Sequence, residues 1–486
     1  MSTAAPEIDV DVLIIGAGLS GIGAACHLAR NLPGASYAIV EMRERLGGTW
    51  DLFRYPGVRS DSDMYTLGYS FAPWRGDQAI ADGASVLRYI RQTAQEYDVP
   101  RHIRYRHRAL SADFDTATSR WLGVLDHDGR AVTARARFLY ACTGYYDYAA
   151  GYTPDFAGRS DFEGRVIHPQ AWPADFDETD ARIVVIGSGA TAVTLVPALA
   201  ERAAHVTMLQ RSPTYVLSMP AADPVADLAH RALPERAAYT VTRWSHLLQA
   251  WALYRAARIA PKQVRKLIRA DAKSHLPQDY PVDEHFNPTY DPWDQRLCLV
   301  PDGDLYAAVS SGRAEIVTDT IDRFTAHGIR LTSGREVPAD VVVTATGLRI
   351  LPGGGATLSV DGAPVDLAQT VSYKGIMLSG IPNYALALGY TNASWTLKVD
   401  LVSRYVCRLL AYMERHGFTQ VWPQAPPAGA ATRPIIDFAA GYVQRAAAQL
   451  PRQGSSGPWQ VPQNYLVDRW RLRRRGRLTD GVTFRR

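Results

Sequence analysis

Two stretches of this chain repeat one arrangement of apolar and polar positions. Residues 10–15 (VDVLII) form an apolar run that meets Gly16-Ala17-Gly18-Leu19-Ser20-Gly21 without a gap. Ile22, Ala25, Cys26 and Ala29 then recur at helical spacing, and a second apolar run at 37–40 ends in Glu41. This predicts a strand, a glycine loop, a helix, and a strand closed by an acid. The same plan returns at 183–186 (IVVI), followed by Gly187-Ser188-Gly189-Ala190-Thr191-Ala192, an apolar helical stretch and a strand at 206–209. Between the two, 84–97 reads as an amphipathic helix. Residues 102–110, 121–126 and 130–137 read as a small antiparallel excursion turning at Asp128-Gly129. From 220 to about 290 the pattern is helical and too long for a loop in a compact domain, so a helical insertion is expected. Ala345-Thr346-Gly347 echoes Cys142-Thr143-Gly144, as if both units end alike, and 399–415 reads as a helix.

The expected fold class is therefore α/β, with two Rossmann-like dinucleotide-binding domains and a helical insertion in the second. In such a unit the first glycine (Gly16) makes the turn, the second (Gly18) admits a pyrophosphate to the helix N-terminus, and the third (Gly21) lets helix and strand pack closely. The two units differ where each ends. Glu41, 25 positions after Gly16, suits a ribose diol; Arg211, 24 positions after Gly187, suits a 2′-phosphate that a carboxylate would repel. The first unit is thus expected to take FAD and the second NADPH, with Thr191 and Ser212 as helpers and Ala192 in place of the third glycine. The FAD domain is expected to span 1–150 and 348–486, and the NADPH domain 151–347.

Composition narrows the class without deciding it. A chain of 486 residues, 47% hydrophobic and 21% charged, is an ordinary globular protein of two or three domains. Its four cysteines (Cys26, Cys142, Cys298, Cys407) form no close pair, which argues against a disulfide framework, a metal site and a flavin disulfide reductase. No signal sequence opens the chain and no apolar run is long enough to cross a bilayer, so a cytoplasmic location is expected. The net charge of +5 is concentrated at 243–273 and 469–477. Both zones read first as solvated faces, with contact to a membrane surface a secondary reading and nucleic acid not expected.

The linker at 162–173 (FEGRVIHPQAWP) makes a poor helix and a poor strand. Gly164 and Pro173 fix unusual backbone, Phe162 and Trp172 can wedge between domains, and His168 can bond a carbonyl or a cofactor. The string resembles the fingerprint of the type I Baeyer–Villiger flavin monooxygenases. Ala174 departs from it where many members carry an acid, and Trp172-Pro173 separates it from the Tyr-Lys ending of flavin N- and S-oxygenases. The stretch from Gly47 through Tyr55-Pro56-Gly57 to Asp61 is similar to a second signature of the same family.

The resemblance implies that Gly48, Thr49, Trp50, Asp51 and Leu52 wrap the flavin, that Asp61 lies beside its ring, and that Arg59 and Ser60 lie near the nicotinamide cofactor. Leu110 and Trp395 join the flavin set, and Gly187, Ser188, Gly189 and Ala190 the NADPH set. Arg296 is implied as the catalytic cation, supported by Asp61; Gln295 stands where a Lys often helps hold the 2′-phosphate. The implied reaction uses O2 to place one oxygen atom next to a ketone carbonyl, giving an ester or lactone, with oxidation of sulfides and thioamides as a related activity. The wording of several stretches is closest to the bacterial members that activate thioamide prodrugs. A dedicated S- or N-oxygenase and a non-catalytic flavin-bound sensor are the alternatives. The oligomeric state is not legible.

Overall fold

The computed structural model describes residues 6–76, 78–295, 297–473 and 478–486. Its framework is two separate sheets. Ile8–Ile15 lies in the middle of the first, parallel to both Tyr37–Glu41 and Arg130–Ala141, so that Val12 faces Tyr37 on one side and Phe138 on the other. Tyr37–Glu41 is buried along its whole length and its neighbours become apolar and buried where they flank it, at 12–14 and 138–141, as strands covered on both faces do, while Arg130–Ala141 begins with alternating exposed and buried positions. The expected antiparallel excursion is present: Arg120–His127 runs antiparallel to His107–Asp115 and to Arg130–Ala141. Thr357–Val360 and Tyr384–Leu386 return from late in the chain to complete this nine-stranded sheet.

The second sheet has five parallel strands in the order Ala314–Thr318, His205–Gln210, Arg182–Ile186, Val341–Thr344, Arg165–Ile167. The last of these corrects the reading of the linker as neither helix nor strand. Three of its residues pair with Val341–Thr344 as an edge strand. Gly164 lies where the two backbones approach, and a Cβ there would stand 2.4 Å from the Asp340 carbonyl oxygen. Phe162 does not wedge between domains but packs in this unit's own core against Phe324.

The helical insertion follows Tyr215–Met219 and comprises Pro224–Ala232, Glu235–Ile259 and Pro261–His275, with a short turn at Val282–His285 before Leu297–Pro301. By sequence it belongs to the second unit, yet its longest helix binds the first. Buried Arg243 donates to the carbonyl oxygens of Tyr65 and Gly68, and the Tyr239 hydroxyl donates to that of Tyr69. The helix expected from 399 starts earlier, at Trp395, because Thr396, Leu397 and Lys398 are already buried. Its apolar stripe Val399, Val402, Val406, Leu409 and Met413 packs against Leu19–Asn31, each side chain contributing about 1.5–3 kcal/mol by leaving water. Lys398 is buried with a partner, Asp468, at 2.7 Å. All four cysteines are buried and unpaired.

Candidate functional site

The first glycine loop is closed in by neighbouring backbone. Gly16 has φ +100°, and a Cβ on it would meet the Cys142 carbonyl oxygen at 2.8 Å. One on Gly21 would stand 1.8 Å from the Gly16 carbonyl oxygen, so here helix and strand touch only because the side chain is absent. Gly18 lies against Gly48, whose Cα a Cβ on Gly18 would meet at 3.5 Å, and both line a cavity of about 370 Å³ whose wall also includes Gly16, Ser20, Glu41, Thr49 and Trp50. Glu41 is 4% exposed; the N–H groups of Ala17 (2.8 Å) and Arg43 (2.9 Å) each donate to one of its oxygens. Burial pushes its carboxyl up, against the opposing pull of those donors. Trp395 closes the cavity from the far end of the chain, its indole N–H held by the Ser20 hydroxyl at 2.8 Å.

The segment from Gly47 to Asp61 does wrap this cavity, but not every residue in it faces inward. The Asp51 side chain has no solvent exposure and does not line the cavity; it is ringed by Arg43 (2.9 Å), Arg91 (3.2 Å), Arg45 (3.3 Å) and Arg54 (3.5 Å). It anchors the wrap from behind. Leu52 is likewise off the wall. Leu110 is 41% exposed because the strand register slips between Ala109 and Ser111, and Ala109 faces the cavity in its place. Arg59, Ser60 and Asp61 line it. Arg59 forms a two-pronged pair with Asp304 of the second unit (2.5 and 3.2 Å), while its buried Nε has no partner among the described residues.

The second glycine loop is open. Gly187 (φ +132°) makes the same tight turn, its Cβ position 2.4 Å from the Ala345 carbonyl oxygen, but nothing lies within 4 Å of a Cβ on Gly189. Ala192 is buried, and Ala190 and Thr191 reach the wall of the first cavity. Ser188 donates to the Ser212 carbonyl oxygen at 3.2 Å. Arg211 is exposed and in no ion pair among the described residues. His168 bonds a carbonyl: Nε2 lies 3.2 Å from the Gly347 oxygen, and Nδ1 accepts from the Gln170 N–H at 3.1 Å. Burial lowers its pKa, against the opposing effect of the Gly347 and Tyr152 carbonyls, which keeps the ring neutral and tied to the end of the second sheet. Trp172 packs on Phe176 and Pro173 leads out of the turn. Gln295 bridges to Pro292. Arg296 lies outside the described residues.

A second cavity of about 380 Å³ adjoins the first, and Asp61, Ser62, Leu299 and Ala393 belong to both walls. Its other walls are mostly apolar: Leu247, Trp251 and Leu253 of the insertion, Leu397, and Tyr465 near the C-terminus. His246 is a cationic member of the wall, placed between Asp223 and Asp63, the latter at 3.5 Å. Burial works against charge on this ring, but the two carboxylates outweigh it and hold its pKa at about 9. This cluster, Asp304 and the Tyr148 hydroxyl on Thr49 (3.0 Å) were missed in the sequence. Each pairs residues far apart in the chain, and no local pattern announces such a contact.

Comparison with known proteins bears on this geometry. The Flavin-binding monooxygenase-like family matches residues 10–225. The FAD-containing monooxygenase EthA of Mycobacterium tuberculosis (strain ATCC 25618 / H37Rv) is 55% identical over 477 residues, 98% of this chain and 97% of that protein. The chain belongs to the flavin-binding monooxygenases. Within this family the probable FAD-binding monooxygenase AlmA of Acinetobacter baylyi is 46% identical over 98% of the chain and 96% of its own length. Two solved structures share the fold of this chain: an oxidized steroid monooxygenase bound to NADP (TM-score 0.77, 23% identity, 98% of this chain and 99% of that one) and OTEMO in complex with FAD and NADP (TM-score 0.70, 24% identity, 87% and 88%).

Proposed function

We propose that this flavin monooxygenase uses FAD and NADPH to place one oxygen atom of O2 next to a ketone carbonyl, giving an ester or lactone, and oxidises sulfides and thioamides at the same site. The carrying observation is the shared wall: a long cavity edged by glycine backbone meets an apolar cavity at Asp61, Ser62, Leu299 and Ala393. The residues fit the cofactors. Gly16, Gly18 and Gly48 leave a backbone-lined cradle, the helix beginning at Leu19 presents its N-terminus there, and the orphaned Nε of Arg59 is a donor for a ligand atom. Bound flavin supplies the activation of O2, which no side chain here can perform.

The chain supplies position, charge and dryness. Glu41 offers carboxylate oxygens to a ribose diol, Arg211 offers an unpaired guanidinium to a 2′-phosphate, and Trp395 with the wrap from Gly47 excludes water. Asp61 stands where the two cavities join and orients the reacting groups. Arg296 is carried over from the family resemblance as the cation at the shared wall, to which Leu299, three residues further along the sequence, belongs. A guanidinium there favours the negative charge that develops on a carbonyl oxygen under attack. Oxygenation at sulfur uses the same wall and needs no second pocket.

The test is product analysis under ¹⁸O2 with NADPH, offering a linear ketone and an aryl methyl sulfide separately. A singly labelled ester is expected, and a labelled sulfoxide with no ester would replace this reading with a dedicated S-oxygenase. Arg296→Ala is expected to keep flavin and NADPH oxidation and lose ester formation; an unchanged ester yield removes Arg296 from the mechanism.

A further inference from the structure

The insertion presents an unusual outer surface. Eight of the thirteen large apolar side chains exposed among the described residues lie between 224 and 275. On the long helix Val241 (47% exposed), Leu248 (47%) and Ile259 (72%) share one direction, since steps of seven and eleven residues bring a helix round to within about 20°. They form a stripe about 27 Å long. Leu228 (69%) on the preceding helix and Leu267 (59%) on the following one are exposed as well, and both helices pack against the long one. A soluble surface scatters such residues singly; gathered ones mark a place that something covers.

The same segment carries ten Lys and Arg against three Asp and Glu, an excess of seven positive charges in a chain whose net charge is +5. Several of these, among them Arg231, Arg236, Arg255, Lys262 and Lys266, are exposed and in no ion pair among the described residues. Apolar side chains flanked by unpaired cations are complementary to an anionic lipid surface, where the stripe enters the headgroup boundary and the cations meet phosphate. A second copy of the chain is the poorer occupant. A two-fold contact would press two such basic faces together. No described helix is long and apolar enough to cross a membrane, so the contact is peripheral.

We infer that the outer face of the helical insertion docks on an anionic membrane surface. Trp251 connects this face to the chemistry, being 40% exposed and also part of the second cavity's wall. The mouth of that cavity therefore faces the lipid, and the substrate is a lipophilic compound drawn from the bilayer. This extension rests on reading the second cavity as the substrate site.

The test uses the flavin-loaded full-length enzyme in a flotation assay with vesicles of phosphatidylcholine alone or mixed with phosphatidylglycerol. Binding is expected only to the anionic vesicles and is expected to weaken with salt. Leu248→Asp with Ile259→Asp, and separately Arg255→Glu with Lys262→Glu and Lys266→Glu, are each expected to lower partitioning about tenfold or more, with flavin content unchanged. No partitioning, or partitioning that ignores both lipid charge and these variants, overturns the proposal. So does a dimer in sedimentation that the Asp variants dissolve. For the extension, anionic vesicles are expected to raise the rate on a long-chain methyl ketone and not on a short one, and the Glu variant to lose that gain. If flotation succeeds and the gain is absent, the lipid surface stands and the route to the cavity falls. If no ketone is oxidised with or without vesicles, it is the substrate reading that fails.

Discussion

The two glycine loops share a motif and differ in what the rest of the chain does to them. Around the first, Cys142 backbone, Gly48, the wrap from Gly47 to Asp61, and Trp395 close in, and its acid Glu41 is buried with two N–H donors in place. Around the second, Gly189 faces open space, Ser188 holds only the next strand end, and Arg211 projects outward. An enclosed site suits a nucleotide that stays through many turnovers, while an open one suits a nucleotide that arrives, is oxidised and leaves. The local motif sets what binds. The enclosure sets how long it remains.

The largest effect that breaks this comparison is a single methyl group. Gly21→Ala places carbon 1.8 Å from the Gly16 carbonyl oxygen, where only backbone can give way. It is expected to cost more than about 3 kcal/mol and leave little flavin-loaded protein, read as flavin absorbance per chain and as Tm. Gly189→Ala meets nothing within 4 Å and is expected to leave both readings unchanged. Equal losses from the two substitutions would mean that the second loop is as closed as the first. Arg211→Ala comes next, and is expected to raise the KM for NADPH about tenfold or more, some 1.4 kcal/mol, while that for NADH stays nearly constant. A like rise for both places the phosphate elsewhere.

Much of this was legible because it is local. The strand, loop, helix and terminal acid or arginine of each unit fall within 32 residues, where periodicity and glycine spacing speak directly. What the sequence misread depends on contacts made at long range. Asp51 in a flavin-wrapping loop looks like a ligand, but Arg91 from a later helix and three nearby arginines make it a buried anchor. Leu110 was misplaced by one strand irregularity. The 165–167 segment becomes a strand only because Val341–Thr344 offers an edge to pair with. The insertion follows the second unit in sequence and grips the first through Arg243 and Tyr239, which apolar periodicity does not foretell.

That grip carries a pH dependence. His246 is held charged between Asp223 and Asp63, so its stabilisation is complete below its ordinary pKa of 6.5 and is lost as pH rises through about 9. After allowance for solvent screening the loss is about 1–2 kcal/mol. The Tm of the native chain is therefore expected to fall across that window more steeply than that of His246→Gln, and parallel curves would sever the histidine from the tie between insertion and flavin unit.

The smallest expected effect lies at the seam between the two loops. Arg59 lines the enclosed cavity and reaches across to Asp304, at the start of a helix in the open unit. Its side chain is 12% exposed and that of Asp304 is 29%, so the pair is partly shielded and two-pronged, worth more than a surface contact but less than a buried one. Removing it loosens the open unit against the enclosed one without touching the flavin wrap. Asp304→Asn is expected to weaken NADP⁺ binding about fivefold, near 1 kcal/mol, with flavin content unchanged. Arg59→Lys is expected to do the same, and the double variant no more than either alone, because both remove one interaction. Additive losses would show that Arg59 and Asp304 act on the nucleotide separately, and the ion pair would then not be what ties the open site to the enclosed one.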